Sequence, residues 1–134
     1  MPAIPYTVYL VSGEFSRSGN TSEFASIDYL LAKKALLREF KAGQIAKHEL
    51  CDAHPELIRA AKSIGMPSGE LCEVCGSGDI VHVSYAFGPK LPSHGRCVSG
   101  SDELARLRAT VSQFTCYVVE VCPECHWNHL VRQF

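Results

Sequence analysis

Four of the seven cysteines stand in two Cys-x-x-Cys pairs, Cys72 with Cys75 and Cys122 with Cys125, and 46 residues lie between the pairs. A two-residue spacing lets both sulfurs of a pair reach one ion from a single tight turn. A tetrahedral, thiophilic ion such as Zn2+ takes four such ligands. Gly76 follows the first pair in "CEVCG". A glycine there can take a positive φ and turn backbone N–H groups toward the sulfurs, which spreads the thiolate charge. The expectation is one Zn2+ ion held by Cys72, Cys75, Cys122 and Cys125. A loop and helix over residues 88–113 account for the long separation.

Other chemistries fit the spacing less well. His126 and His129 follow Cys125 closely, and whether either replaces a thiolate is left open by the sequence. A hydrogen-bonding or strand-surface role is the plainer reading for both. A redox pair needs an accessible Cys-x-x-Cys at a helix N-terminus, whereas the first pair runs into Gly76-Ser77-Gly78 and a strand. The "HPE" of His54–Glu56, followed by Cys72 and Cys75, resembles the zinc deaminases, whose Glu shuttles protons. Leu71 stands where that family has proline, and the second pair would have no role. A zinc-dependent hydrolase or deaminase is therefore kept only as an alternative, and His54 reads as a helix-start residue. Cys116 alternates with Phe114 and Val118 and reads as core, and Cys51 is expected buried. Cys97, beside Arg96 in a loop, is the candidate reactive thiol, against the plainer reading of an inert one.

These side chains must be positioned by an α+β chain. Residues 1–22 combine a short apolar run with loop chemistry and are expected to form a weakly ordered extension. Residues 23–66 predict a helical hairpin. "EFASIDYLLAKKALLREFKAG" lacks Gly and Pro until Gly43, with Asn20 or Ser22 as cap and Gly43 at the C′ position. Phe24, Ile27, Leu30, Leu31, Leu37 and Phe40 form its apolar face, and Lys34, Arg38 and Lys41 a basic stripe. "HPELIRAAKSIG" is the second helix, with Pro55 in its first turn and Gly65 at its end. Residues 67–134 predict a zinc-ribbon-like domain, a three-stranded antiparallel sheet with an inserted helix. The strands are "DIVHVSYAF", "FTCYVVEV" and "WNHLVRQF", and the helix "SDELARLRATVSQ" starts at Ser101 as N-cap. "MPSGE" reads as a lead-in to the first pair, and "GPKLPSHGRCVSG" as loop.

The chain has 134 residues, enough for one domain or two very small ones, and a core of that size gains from a structural metal. A formal net charge of −1 argues against nucleic-acid binding by bulk charge. No apolar run approaches about 18 residues and no secretory pattern opens the chain, so neither a membrane nor export is expected. An odd cysteine count with paired spacings fits a reducing compartment, and the expected location is the cytoplasm.

From about Ile27 to Phe134, the segments "CDAHPELIRAAKSIG", "LCEVCG" and "VEVCPECHWNHLV" resemble a small actinobacterial family classed as a domain of unknown function, number 5318. The resemblance implies a helical N-terminal part and a zinc-ribbon-like part in a cytoplasmic protein, and it implies no activity.

Three functions follow as expectations. The first is a non-enzymatic zinc-binding interaction protein, an accessory factor docking on RNA polymerase or the ribosome. Trp127, Asn128 and His129 are its candidate contacts, with Trp127 equally suited to packing over the zinc knuckle. The second is direct nucleic-acid binding through Lys33, Lys34, Arg38, Lys41, Lys47, Arg59 and Lys62, although Asp28, Glu39, Glu49, Asp52 and Glu56 interleave with them. The third is a zinc enzyme, or a thiol sensor through Cys97.

Overall fold

The computed structural model describes residues 26–134. The expected extension (1–22), the caps Asn20 and Ser22, and Phe24 lie outside the described residues. In chain order the elements are strand β1 (Ile27–Asp28), helix α1 (Leu30–Lys41), the short helix α2 (Lys47–Leu50), helix α3 (Pro55–Ile64), strands β2 (Met66–Leu71), β3 (Asp79–Phe87) and β4 (Arg96–Val98), helix α4 (Gly100–Thr110), and strands β5 (Thr115–Val121) and β6 (Asn128–Gln133).

The strands form one antiparallel sheet in the order β1-β6-β5-β3-β2, and β4 also pairs with β3. Strands β2 and β4 divide one edge of β3. Met66 pairs with His82 and Leu71 with Asp79, while Val98 pairs with Ser84 and Arg96 with Ala86. The sheet thus has six strands where three were expected. "MPSGE" belongs to a strand because an edge position tolerates Pro67, which has no N–H to donate, and a bulge absorbs Gly69. Strands β1 and β4 are too short to show any alternation.

Successive residues of β3 face opposite sides of the sheet. Val83 and Tyr85 pack with Val119, Val121 and Leu130 beneath Leu57, Ile58 and Ala61 of α3. Ile80 faces the other way and packs with Leu37 of α1, Leu50, Cys72, Cys122 and Trp127. Ala86, farther along that second face, packs with Val98 and Leu107 of α4. The expected helical hairpin takes a different form, because α1 and α3 give their buried side chains to different clusters, each completed by the sheet. Two of the three clusters join residues from before and after position 66.

Helix α1 begins later than its composition suggests. Ile27 and Asp28 pair with Gln133 and Arg132, and the Asp28 carboxylate accepts the Leu30 N–H at 3.0 Å. The apolar stripe is correspondingly narrower. Leu37 is buried and Leu36 and Phe40 pack beside it, but Leu30 and Leu31 are 51% and 81% exposed. The helix ends at Gly43 as expected. Gly43 takes φ +81°, and the N–H groups of Gly43 and Gln44 donate to the carbonyls of Phe40 and Glu39, closing a Schellman turn. Helix α3 is capped by His54, whose Nδ1 accepts the Glu56 N–H at 3.0 Å. Helix α4 starts from Ser99, two residues before the expected Ser101. The Glu103 carboxylate reaches back and accepts from both the Ser99 N–H (2.8 Å) and hydroxyl (3.1 Å).

Candidate metal centre

The sheet topology brings the two cysteine pairs together. Cys72 follows β2 and Gly78 precedes β3. Cys122 follows β5 and Trp127 precedes β6. Each pair therefore sits at the tip of a hairpin. Antiparallel pairing of Val81 with Val121 sets the two tips side by side at one end of the sheet.

Both tips turn in the same way. The Gly76 N–H donates to the Cys72 carbonyl and the His126 N–H to the Cys122 carbonyl, each at 2.9 Å. The residue after each second cysteine is left-handed, Gly76 at φ 78° and His126 at φ 75°. Cys72 N–H to Gly78 O (2.8 Å) and Cys122 N–H to Trp127 O (2.9 Å) close the turns. Backbone N–H groups then point at sulfur: Val74 to Cys72 Sγ (3.3 Å), Gly78 to Cys75 Sγ (3.4 Å) and Cys125 to Cys122 Sγ (3.5 Å).

The four sulfurs converge. Cys72 Sγ lies 3.7 Å from Cys125 Sγ, Cys75 Sγ lies 3.8 Å from Cys122 Sγ, and all four fall within 4.8 Å of one another. This group could hold a metal ion. Among the described residues, no other cluster of three or more His, Cys, Asp or Glu ligand atoms has such spacing. Cys72 and Cys122 are buried, and Cys75 and Cys125 are half-buried.

Acidity follows position. Burial pushes the Cys72 thiol up to about 11 and the Cys125 thiol up to about 12, and burial also raises Cys122. Cys75 goes the other way, down to about 6, chiefly through the backbone N–H of Ser77. Three thiols resist ionisation here without a cation, and a bound dication would supply the missing countercharge.

Gly78 is a site residue that the spacing did not flag. A Cβ on it would stand 2.4 Å from Cys122 Sγ, so the two hairpin tips can close only over a glycine. Neither His126 nor His129 joins the sulfurs. His126 contributes its backbone, and its carbonyl accepts the Ala53 N–H at 3.0 Å. His129 is buried, with its ring stacked on Trp127 (centroids 5.8 Å apart) and Nδ1 lying 2.8 Å from the Leu130 carbonyl. Burial lowers its pKa.

The expected surface contacts need correction. Trp127 is only 1% exposed, packed among the cysteine cluster residues, with its indole N–H donating to Glu120 at 2.7 Å. With His129 also buried, neither ring is on the surface, and half-buried Asn128 donates to the Asp52 carboxylate. Lys34, Arg38 and Lys41 are exposed, and Lys41 lies 3.6 Å from Glu73. Lys33, expected among the nucleic-acid contacts, instead pairs its ammonium with buried Glu120 at 3.0 Å. Glu120 thereby links α1 to Trp127 behind the second hairpin tip. A lone glutamate in a strand gave no sign of this.

The remaining cysteines divide three ways. Cys116 is buried and its thiol is pushed up to about 11 by burial, as its alternation suggested. Cys97 is half-buried beside Tyr85, and burial raises its pKa, so it is not the low-pKa thiol a sensor would need. It lines a recess of about 700 Å³ with His54, Glu56, Ala60, Tyr85, His94 and Gly95. His54 thus serves as a helix cap on that recess and stands outside the sulfur cluster. Cys51, half-buried, has its sulfur 3.5 Å from that of Cys125.

A family model described as "Family of unknown function (DUF5318)" matches residues 21–134. The chain belongs to this family. It is 40% identical over 108 residues to an uncharacterized protein of Mycobacterium tuberculosis, Rv0049, and equally to one of Mycobacterium bovis, Mb0050. In both cases the match covers 81% of this chain and 79% of the relative. No solved structure matches this DUF5318 chain.

Proposed function

We propose that Cys72, Cys75, Cys122 and Cys125 hold one structural zinc ion in a non-enzymatic interaction protein. The observation carrying this reading is the sulfur spacing. A tetrahedron with Zn–S bonds of about 2.3 Å has S···S edges of roughly 3.8 Å, against 3.7 and 3.8 Å across the two hairpins. Four thiolates fill the coordination sphere, which suits a structural ion better than a catalytic one. Metal binding of that kind contributes on the order of 10 kcal/mol to folding. Elemental analysis should find one zinc per chain. Cobalt substitution should give the absorption of a tetrahedral four-thiolate site, and a spectrum with bound water would overturn the structural role.

The interaction role rests on the open face of α1, the helix that packs against the sulfur cluster through Leu37. Leu31, Lys34 and Arg38, at helical spacing on α1, are all exposed. The partner proposed is a large cytoplasmic assembly, RNA polymerase or the ribosome. Affinity capture of the tagged protein, with and without nuclease, tests this. Nuclease-resistant recovery of polymerase or ribosomal subunits supports it, and recovery lost on nuclease treatment shifts the role to nucleic-acid binding.

A further inference from the structure

Five cysteines, not four, meet at the hairpin tips. Cys51 caps the end of α2, and its sulfur lies closer to Cys125 (3.5 Å) than either cross-hairpin sulfur pair lies to its partner. Two bonds hold it there. Ala53 N–H donates to the His126 carbonyl at 3.0 Å, and Asn128 Nδ2 donates to the Asp52 carboxylate at 3.1 Å. Residues 51–53 are thereby fastened along the second hairpin tip, with Cys51 facing Cys125. Cys51 is outside the four-sulfur group, so a bound metal leaves it a free thiol. Both Cys51 and Cys125 are half-buried, which leaves them within reach of a small oxidant, whereas Cys72 and Cys122 are enclosed.

We propose that Cys51 is a resolving thiol: a hydroperoxide converts Cys51 and Cys125 to a disulfide, and the metal centre opens. The Cys125 thiolate attacks one peroxide oxygen, the O–O bond breaks, hydroxide leaves, and Cys125 becomes a sulfenic acid. The Cys51 sulfur then attacks the Cys125 sulfur. The S–S bond forms, the S–O bond breaks, and the hydroxyl departs as water with the Cys51 proton. Two electrons pass from the two sulfurs to the peroxide. The sulfurs must approach by about 1.5 Å to reach bonding distance. A zinc ion at the site would then keep only Cys72, Cys75 and Cys122 as ligands and would be released. This release step rests on the zinc reading above, and the pairing of Cys51 with Cys125 does not.

The test uses the full-length, zinc-loaded protein and hydrogen peroxide near stoichiometry. Alkylation and peptide mass mapping follow the thiols, and a chromophoric chelator follows zinc. The expected result is a Cys51–Cys125 link, an intact mass lower by two hydrogens, zinc release in step with the link, and full reloading after thiol reduction. In Cys51→Ala and Cys51→Ser, the same treatment should drive Cys125 to sulfinic acid and cut zinc reloading several-fold. Links confined to Cys72–Cys75 or Cys122–Cys125 with Cys51 still alkylatable would overturn the proposal, as would equal reloading in wild type and variants. Zinc-loaded protein whose Cys51 stays reduced refutes the pairing and spares the zinc reading. Protein that takes up no zinc yet still forms the link supports the pairing and refutes the zinc reading.

Discussion

At the first hairpin tip the left-handed position is Gly76, and the chain around it is exposed: Glu73, Gly76 and Ser77 all face solvent. At the second tip the same position is His126, followed by fully buried Trp127. The backbone turns match, yet the supports differ. The second tip is tied to residues 52 and 53 and, through Trp127 and Glu120, to Lys33 on α1. Beyond its own turn and β3, the first tip touches the rest mainly through its sulfurs, the Leu37 and Trp127 cluster, and an exposed Lys41–Glu73 pair of the kind worth little. One half of the centre is therefore a fixed anchor, and the other closes over it.

The largest test removes a ligand of the proposed zinc site. Cys72→Ser and Cys125→Ser should each forfeit most of a contribution on the order of 10 kcal/mol, with zinc content and thermal unfolding as readouts. Unchanged melting in both variants would break the metal assignment. Gly78→Ala alters no ligand but should also lose zinc, because its Cβ meets Cys122 Sγ.

Next comes acid. At pH 7 Cys75 is largely ionised, while Cys72, Cys122 and Cys125 carry protons. Zinc binding should then release about three protons, and affinity should fall about a thousandfold for each pH unit downward. Below about 6 a fourth proton joins, when the Cys75 thiolate is also titrated. Calorimetry in buffers of different ionisation enthalpy counts the protons, and a release near zero at pH 7 would contradict the sulfur acidities.

The anchor itself comes third. Glu120→Gln leaves the Lys33 ammonium with no carboxylate in a mostly buried site, and should cost about 3 kcal/mol. Urea unfolding measures it, and a loss below about 1 kcal/mol would mean that Lys33 simply swings to solvent. The smallest effect compares the two left-handed positions. His126→Gly should relieve strain and gain up to about 1 kcal/mol, while Gly76→Ala should lose a similar amount. Equal and opposite midpoint shifts in urea would show that the two turns share one backbone requirement.

What the sequence revealed was local in origin. The cysteine pairs, the strands around Val83 and Val119, the stop at Gly43 and the cap at His54 each depend on a few adjacent residues. What it hid depends on distant partners. Gly78 is critical because of Cys122, Glu120 is buried because Lys33 and Trp127 meet it, and Cys51 matters because of Cys125. Strand β2 was obscured because Pro67 and Gly69 are turn residues by composition, and only an edge position reconciles them with a strand. Trp127 suited a surface contact and packing over the knuckle equally, and the cluster around Leu37, Cys72 and Cys122, with its bond to Glu120, places it inside.

That edge has a consequence for how the molecule meets others. On one side of the sheet the outer strand is β2, which has a proline and a bulge, followed by three-residue β4. On the other side, among the described residues, it is β1, only two residues long. Such borders give an incoming extended peptide no continuous ladder to join, and they protect the sheet from polymerising edge to edge. Association by strand addition, with a partner or with a second copy, is therefore disfavoured while the sheet is folded.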